Sequence, residues 1–409
     1  MTQTAANRNS VFNIAVIVAA LGYFVDIYDL LLFSIIRVPS LQDLGLSEVQ
    51  IRDEGLFIIN TQMMGLLIGG ILWGVLADKK GRLSVLFASI IMYSLGNIAN
   101  GFVQTVNQYA AVRFISGIGL AGELGAGITL VSELLHKDRR GIGTSLVAGI
   151  GLSGAVLAYF MKENFHWRTC YFIGGGLGFM LLFLRIKVAE SGMFHHVKQS
   201  NIKKGNFLMF FNNANRFRRY LLSILIGLPT WFVIGILVSF SKEFAIQMDV
   251  QGTVDPGKAV MYAYVGISLG DIAVGLVSQL LKSRKKALFL FYGLTIIGMF
   301  WFFNLQGADT QEVYWACALL GFGTGFWAIF VTMAAEQFGT NLRATAATTV
   351  PNMVRGSLNL ITLLFTGLQA YYGFIQSGVI TAVVIMIITF ISAALTAETF
   401  GKDLNYVEE

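Results

Sequence analysis

Gly69-Gly70-Ile71-Leu72-Trp73-Gly74-Val75-Leu76-Ala77-Asp78-Lys79-Lys80-Gly81-Arg82 is an apolar, glycine-bearing run that ends in an acid and a basic turn. Upstream, the apolar character continues back to about residue 56, giving a run of roughly 20 residues, enough to cross a bilayer as a helix. Downstream, a second apolar run begins at once. Two apolar runs joined by a short basic turn read as two membrane helices whose loop lies on the side that collects positive charge. Barrel strands are about ten residues long and alternate in polarity, which this stretch does not.

The rest of the chain repeats the pattern. Of 409 residues, 55% are hydrophobic and 13% charged, with 45 glycines. Soluble domains carry about 25% charge, so this chain cannot cover its surface in water. Twelve apolar runs are expected, near 12–36, 56–77, 83–104, 108–135, 141–161, 168–188, 219–243, 258–281, 287–305, 313–335, 344–372 and 374–397. The short polar lead has no small-residue cleavage site after the first run, which therefore reads as a retained helix. Two cysteines, Cys170 and Cys317, exclude a disulfide framework and a cysteine metal cluster.

Loop charge sets the orientation. On the side of the N-terminus fall 21 of the 29 Lys and Arg, six fall on the other side, and Arg113 and Arg355 lie within spans. Both termini are therefore expected to be cytoplasmic. The long basic segment 191–218 reads as a solvated linker, or as a stretch that meets anionic headgroups. An internal repeat divides the chain about this linker. The opening run recurs 201 residues later as Gly270-Asp271-Ile272-Ala273-Val274-Gly275-Leu276-Val277-Ser278-Gln279. Tyr109, Gly117, Gly119, Glu133 and Arg140 likewise match Tyr314, Gly321, Gly323, Glu336 and Arg343. The sequence thus predicts an all-α membrane protein of 12 transmembrane helices in two pseudo-symmetric six-helix bundles, 1–190 and 219–409.

Several motifs resemble the major facilitator superfamily. Gly74-Val75-Leu76-Ala77-Asp78-Lys79-Lys80-Gly81-Arg82 is similar to its G-x-x-x-D-x-x-G-R loop, and Arg113-Phe-Ile-Ser-Gly117-Ile-Gly119-Leu-Ala-Gly122 to its R-x-x-x-G-x-G-x-x-G helix. Glu336-Gln-Phe-Gly-Thr-Asn-Leu-Arg343 resembles the E-x-F-P-T-x-x-R element of the metabolite:proton, aromatic-acid:proton and organic-ion carrier branches. Asp26-Ile-Tyr28-Asp29 aligns with their acid-x-aromatic-Asp signature, and Arg185-Ile-Lys-Val-Ala-Glu190-Ser-Gly with a degraded R-x-x-x-P-E-S-P. Gln279, Ser283, Ala189, Gly192 and Gly339 depart from these patterns. The resemblance implies a proton-linked carrier working by alternating access, with its site at mid-membrane between the halves.

Charges inside apolar runs need a reason, because one at helix centre costs roughly 2.5–3.5 kcal/mol on insertion scales. Asp26 and Asp29 are three apart and share a helix face. Two carboxylates on one dry face repel, which suits an acid that exchanges a proton; the alternative is a fixed pair with a neighbouring helix. Arg113 lies near the depth of Asp29 and Glu123 near that of Asp26, so Arg113 either bridges spans one and four as a buried pair, holds an Asp ionised until a proton arrives, or binds an anionic substrate. Arg355 either meets a substrate carboxylate, pairs with Asp271, or reaches the first half. Asp26, Asp29 and Glu123 are the proton-coupling candidates. Arg113, Arg355, Tyr28, Trp231, Phe326 and Trp327 are the substrate-contact candidates, with Asp271 a further intramembrane acid. Asp78, Gly81, Arg82, Glu133, Arg140, Glu190, Glu336 and Arg343 form either a cytoplasmic gate network, as the resemblance implies, or a solvated rim.

No histidine lies at mid-depth, and no nucleophile triad, phosphate loop or zinc spacing occurs. The expectation is no enzyme, no cofactor and no metal. The chain reads as a secondary transporter of the plasma membrane (the inner membrane if bacterial), multi-pass and monomeric. It would import a small organic anion or zwitterion with protons, its other partner being the lipid bilayer and not nucleic acid. The alternative is a proton-coupled exporter, although Gly149-Ile-Gly151-Leu-Ser-Gly154 lacks the proline of the drug-antiporter element.

Overall fold

The computed structural model describes residues 14–80, 82–123, 147–190, 207–402 and 408. The first set of helices is α1 (Ile14–Asp43), α2 (Glu48–Lys80), α3 (Arg82–Asn100), α4 (Val106–Leu120), α5 (Gly154–Asn164) and α6 (Trp167–Glu190). The second begins with α7 (Ala214–Ile226), α8 (Leu228–Phe232), a π-helical turn Val233–Val238 and α9 (Ser241–Gln247). It continues with α10 (Pro256–Leu280), α11 (Arg284–Phe303), α12 (Thr310–Thr324), α13 (Trp327–Glu336), α14 (Thr340–Gly356) and α15 (Leu358–Leu395). Among the described residues there is no strand, only an isolated bridge between Gln251 and Asp309.

Eight helical stretches among the described residues are long and apolar enough to cross a bilayer. The difference from the expected twelve has visible causes. The third run is the shorter apolar helix Ser84–Asn100, and the eleventh and twelfth merge into Asn341–Leu395, which is broken at Gly373 (φ 75, ψ 177). The fourth and fifth runs extend into 124–146, outside the described residues.

Helix starts are fixed by the local sequence. Thr105, Asp255, Ser283 and Asp309 each accept a hydrogen bond from a first-turn N–H of α4, α10, α11 and α12, the usual use of a short polar side chain at an N-cap. Inside the bundle, water is absent and the drive for association is close packing. Glycines supply it twice over. Gly65 and Gly69 of α2 lie against the backbone of Phe114 and Ile118 in α4, and Gly117 answers against Gln62. Gly266 and Gly270 of α10 lie in the same way against Ala318 and Phe322 in α12, answered by Gly321 against Ala263. A Cβ at any of these six would overlap a backbone carbonyl or Cα. The repeat seen in the sequence is therefore a repeated helix contact. The breaks repeat too: α4 ends at Leu120 and helix resumes at Glu123, and α12 ends at Thr324 and resumes at Trp327.

The two sets of helices meet along α2 and α14, where Gly70 faces Asn352 and Gly356 faces Leu67, and along α1 and α5 against α10. Asn352 Nδ2 donates to Ala121 O at 3.0 Å and Thr362 Oγ1 to Asn60 Oδ1 at 3.1 Å across that seam.

Candidate functional site

Buried polar side chains gather along α1, which packs on α4 and α10, and along α13, which packs on α10 and α14. Asp29 and Arg113 form a fully buried ion pair at 2.8 Å. Arg113 also donates to Asp29 O at 2.9 Å and to Gln62 Oε1 at 3.3 Å, and its guanidinium lies 5.6 Å from the Tyr171 ring centroid. Gln62 Nε2 in turn donates to Leu30 O at 3.1 Å. The sequence placed Asp29 and Arg113 at one depth, and the structure joins them.

Glu123 does not join that pair. Its carboxylate takes a bidentate bridge from Arg185 of α6, one arm at 2.9 Å. Gly22 of α1 lies directly against the bridge, leaving no room for a side chain. Arg185 belongs to the run 168–188, but as a basic residue near its end it reads as part of the loop. The unpaired acid at Glu123 was the available signal that an arginine had to come inward.

Asp26 and Arg355 have no such neutralisation. Asp26 is fully buried and neither carboxylate oxygen has a hydrogen-bond partner among the described residues. Arg355 is 1% exposed; its Nη1 donates to Asn352 Oδ1 on its own helix at 3.3 Å, and Nε has no partner among the described residues. Its guanidinium lies 5.9 Å from the Trp231 ring and 5.8 Å from the Trp327 ring. Trp231 Nε1 is also unpartnered. A buried guanidinium beside two indole rings, with its Nε unpartnered, can bind an anionic group.

The other candidates fall elsewhere. Asp271 does not pair with Arg355: Oδ1 accepts from the backbone N–H of Ala328 at 3.0 Å. Phe326 packs edge-on against Tyr292 at 5.2 Å, and is not among the rings around Arg355. Tyr28 donates to Cys170 O at 2.8 Å, within the first set of helices.

At the end of the molecule where α1 finishes, three ion pairs join the two sets of helices. Arg37, fully buried, meets Glu243 at 2.7 and 3.0 Å, donates to Ser239 O at 3.0 Å, and stacks 4.2 Å from the Phe240 centroid. Lys162 meets Asp255 at 2.6 Å and Lys242 meets Glu48 at 2.9 Å. Arg37, Lys162 and Lys242 are three of the six basic residues opposite the N-terminus, and nothing in the sequence pairs them with these acids. At the opposite end, Glu336 pairs with Arg284 at 3.3 Å and Arg219 with Glu408 at 2.9 Å, both within the second set. Glu398 is partly buried, which disfavours its charge. Ser283 and the N–H groups of Phe400, Arg284 and Lys285 donate to it and win, holding it down at about 2. Arg343 lies on α14 at this end. Gly81, Glu133 and Arg140 lie outside the described residues, as do the side chains of Asp78, Arg82 and Glu190. Among the described residues no cluster of ligating side chains could hold a metal.

The sequence profile of the Major Facilitator Superfamily matches residues 14–361. The niacin transporter NiaP of Acinetobacter baylyi is 27% identical, over 95% of this chain and 95% of its own. The sialic acid transporter NanX of Escherichia coli is 25% identical, over 91% and 92%. Among solved structures, the proton:xylose symporter XylE bound to 6-bromo-6-deoxy-D-glucose superposes with a TM-score of 0.72 at 16% identity, covering 96% of this chain and 97% of that one.

Proposed function

Because the chain belongs to the Major Facilitator Superfamily and is a multi-pass membrane transporter, we propose that it imports a small organic carboxylate together with protons. The reading is that the substrate carboxylate binds Arg355, its body lies between Trp231 and Trp327, and Asp26 carries the coupling proton. The observation that carries it is the buried Arg355 guanidinium, which makes no ion pair among the described residues. A buried, unneutralised cation is costly, and an anionic ligand would remove that cost on binding. Niacin and sialic acid, the cargoes named for the two relatives, are both carboxylic acids, which supports the class.

Alternating access fits two six-helix bundles, 1–190 and 219–409, moving about the seam as in repeat-built carriers. In this reading both termini are cytoplasmic and the Arg37–Glu243, Lys162–Asp255 and Lys242–Glu48 pairs close the outer side. The protein acts as a monomer in the lipid bilayer, the inner membrane in a bacterium. Asp29–Arg113 and Glu123–Arg185 brace the first bundle; Asp26, without a partner, is free to exchange a proton with the site.

The test is uptake into proteoliposomes with an inward proton gradient over a panel of aromatic and aliphatic acids. At least one acid should accumulate, and its amide should not. Asp26→Asn should abolish gradient-driven accumulation while sparing exchange of labelled for unlabelled acid. Gradient-driven accumulation surviving in that variant would remove Asp26 from the coupling role.

A further inference from the structure

We propose that Asp271 is a positioning residue for this site: it caps the N-terminus of α13 from the neighbouring helix α10 and so holds Trp327 beside Arg355. The proposal rests on the reading of Arg355 and Trp327 as the substrate site.

The need for a cap comes from the break before α13. Helix α12 ends at Thr324, Gly325 has φ −72 and ψ 47, Phe326 has φ −111 and ψ 15, and α13 starts at Trp327. The first N–H groups of any helix lack intrahelical partners, and mid-bilayer there is no water to take them. Phe326, at the N-cap, is a hydrocarbon and makes no capping bond. Asp271 supplies the missing acceptor: its Oδ1 takes the Ala328 N–H at 3.0 Å.

The reach is set by the glycines beside it. A Cβ on Gly325 would stand 2.6 Å from Gly270 Cα, so the α10 and α12 backbones touch one residue before Asp271. That contact puts the carboxylate at the broken end of the helix. The first residue of the capped turn is Trp327, whose ring lies 5.8 Å from the Arg355 guanidinium. The repeat shows that the device belongs to the second half alone. The offset of 201 places Gly70 where Asp271 stands, and the offset of 204 places Glu123 where Trp327 stands.

The experiment uses the full chain in detergent with Asp271→Ala and Asp271→Asn. Hydrogen exchange over 325–331 reads the cap without any ligand. Asp271→Ala should speed it about 10-fold, and Asp271→Asn, whose amide oxygen still accepts, should stay within about 3-fold of wild type. With nicotinate as the probe, Asp271→Ala should weaken binding about 10-fold, yet add nothing in a Trp327→Ala background. Unchanged exchange in Asp271→Ala, equal acceleration in Asp271→Asn, or full additivity with Trp327→Ala would each overturn the proposal. Failure of wild type to bind nicotinate or any other acid of the uptake panel would count against the carboxylate reading, and the exchange result would then decide the cap alone.

Discussion

Arg113 and Arg355 are buried to within 1% in opposite halves of the chain, and their surroundings differ in kind. Arg113 has a carboxylate at 2.8 Å, a backbone carbonyl at 2.9 Å and a glutamine oxygen at 3.3 Å. Arg355 has one side-chain amide oxygen at 3.3 Å and two indole rings. The offset of 204 that relates α4 to α12 puts Cys317 where Arg113 stands, so the second half has no copy of the braced pair. Arg113 thus braces two helices, whereas Arg355 makes no ion pair among the described residues. Burial of an arginine in a bilayer therefore says little about its role until its partners are counted.

Removal of each arginine should separate the two roles most sharply. Arg355→Ala should cut uptake of a carboxylate at low concentration about 100-fold, through loss of charge-assisted hydrogen bonds, while leaving the melting temperature equal or higher. Arg113→Ala strands Asp29 and should cost roughly 3–5 kcal/mol of stability in detergent, read as a large fall in melting temperature. The Asp29→Asn and Arg113→Gln double variant should recover part of that loss. A destabilised Arg355→Ala with intact uptake would reverse the comparison.

A smaller effect is expected at the seam. Arg37→Ala removes the buried member of the three ion pairs at one end, and spin labels at V49C and I246C should report a wider distance distribution there. An unchanged distribution would mean that the pairs do not hold this end closed. The smallest effect concerns pH. Glu398 has its pKa depressed from an ordinary 4.5 to about 2 by the hydrogen bonds it accepts at the start of α11. Its contribution is present above pH 4.5 and is lost as pH falls through about 2. Melting curves of wild type and Glu398→Gln should therefore keep a constant separation from pH 5 to 8 and converge only in strong acid.

The sequence carried much of this architecture because glycine spacing and charge scarcity are chemical constraints of a bilayer. The Gly69/Gly270 and Gly117/Gly321 matches are visible by eye, and they became the α2/α4 and α10/α12 contacts. The isolation of Asp26, Asp29, Arg113, Glu123, Asp271 and Arg355 in apolar runs likewise made them candidates. Partnership was not legible, because it depends on rotation and tilt of helices far apart in sequence. Asp29 and Arg113 could be matched by depth, whereas Glu123 found Arg185, a residue that looks like a loop charge. Asp271 looked like a counter-ion for Arg355 and is a helix cap, since the break at Gly325 leaves no trace beyond one more glycine. Arg37 counts in the sequence only as one of the six basic residues opposite the N-terminus, and only the tertiary seam makes it a buried clasp on Glu243.

The central claim is that Arg355 holds a substrate carboxylate. Its most direct test is a thermal-shift titration of wild type and Arg355→Ala with matched acids and amides, nicotinate against nicotinamide and benzoate against benzamide. The account predicts that an acid stabilises wild type, that its amide does not, and that Arg355→Ala loses the stabilisation. Equal stabilisation by acid and amide, or an acid response that survives in Arg355→Ala, would contradict it.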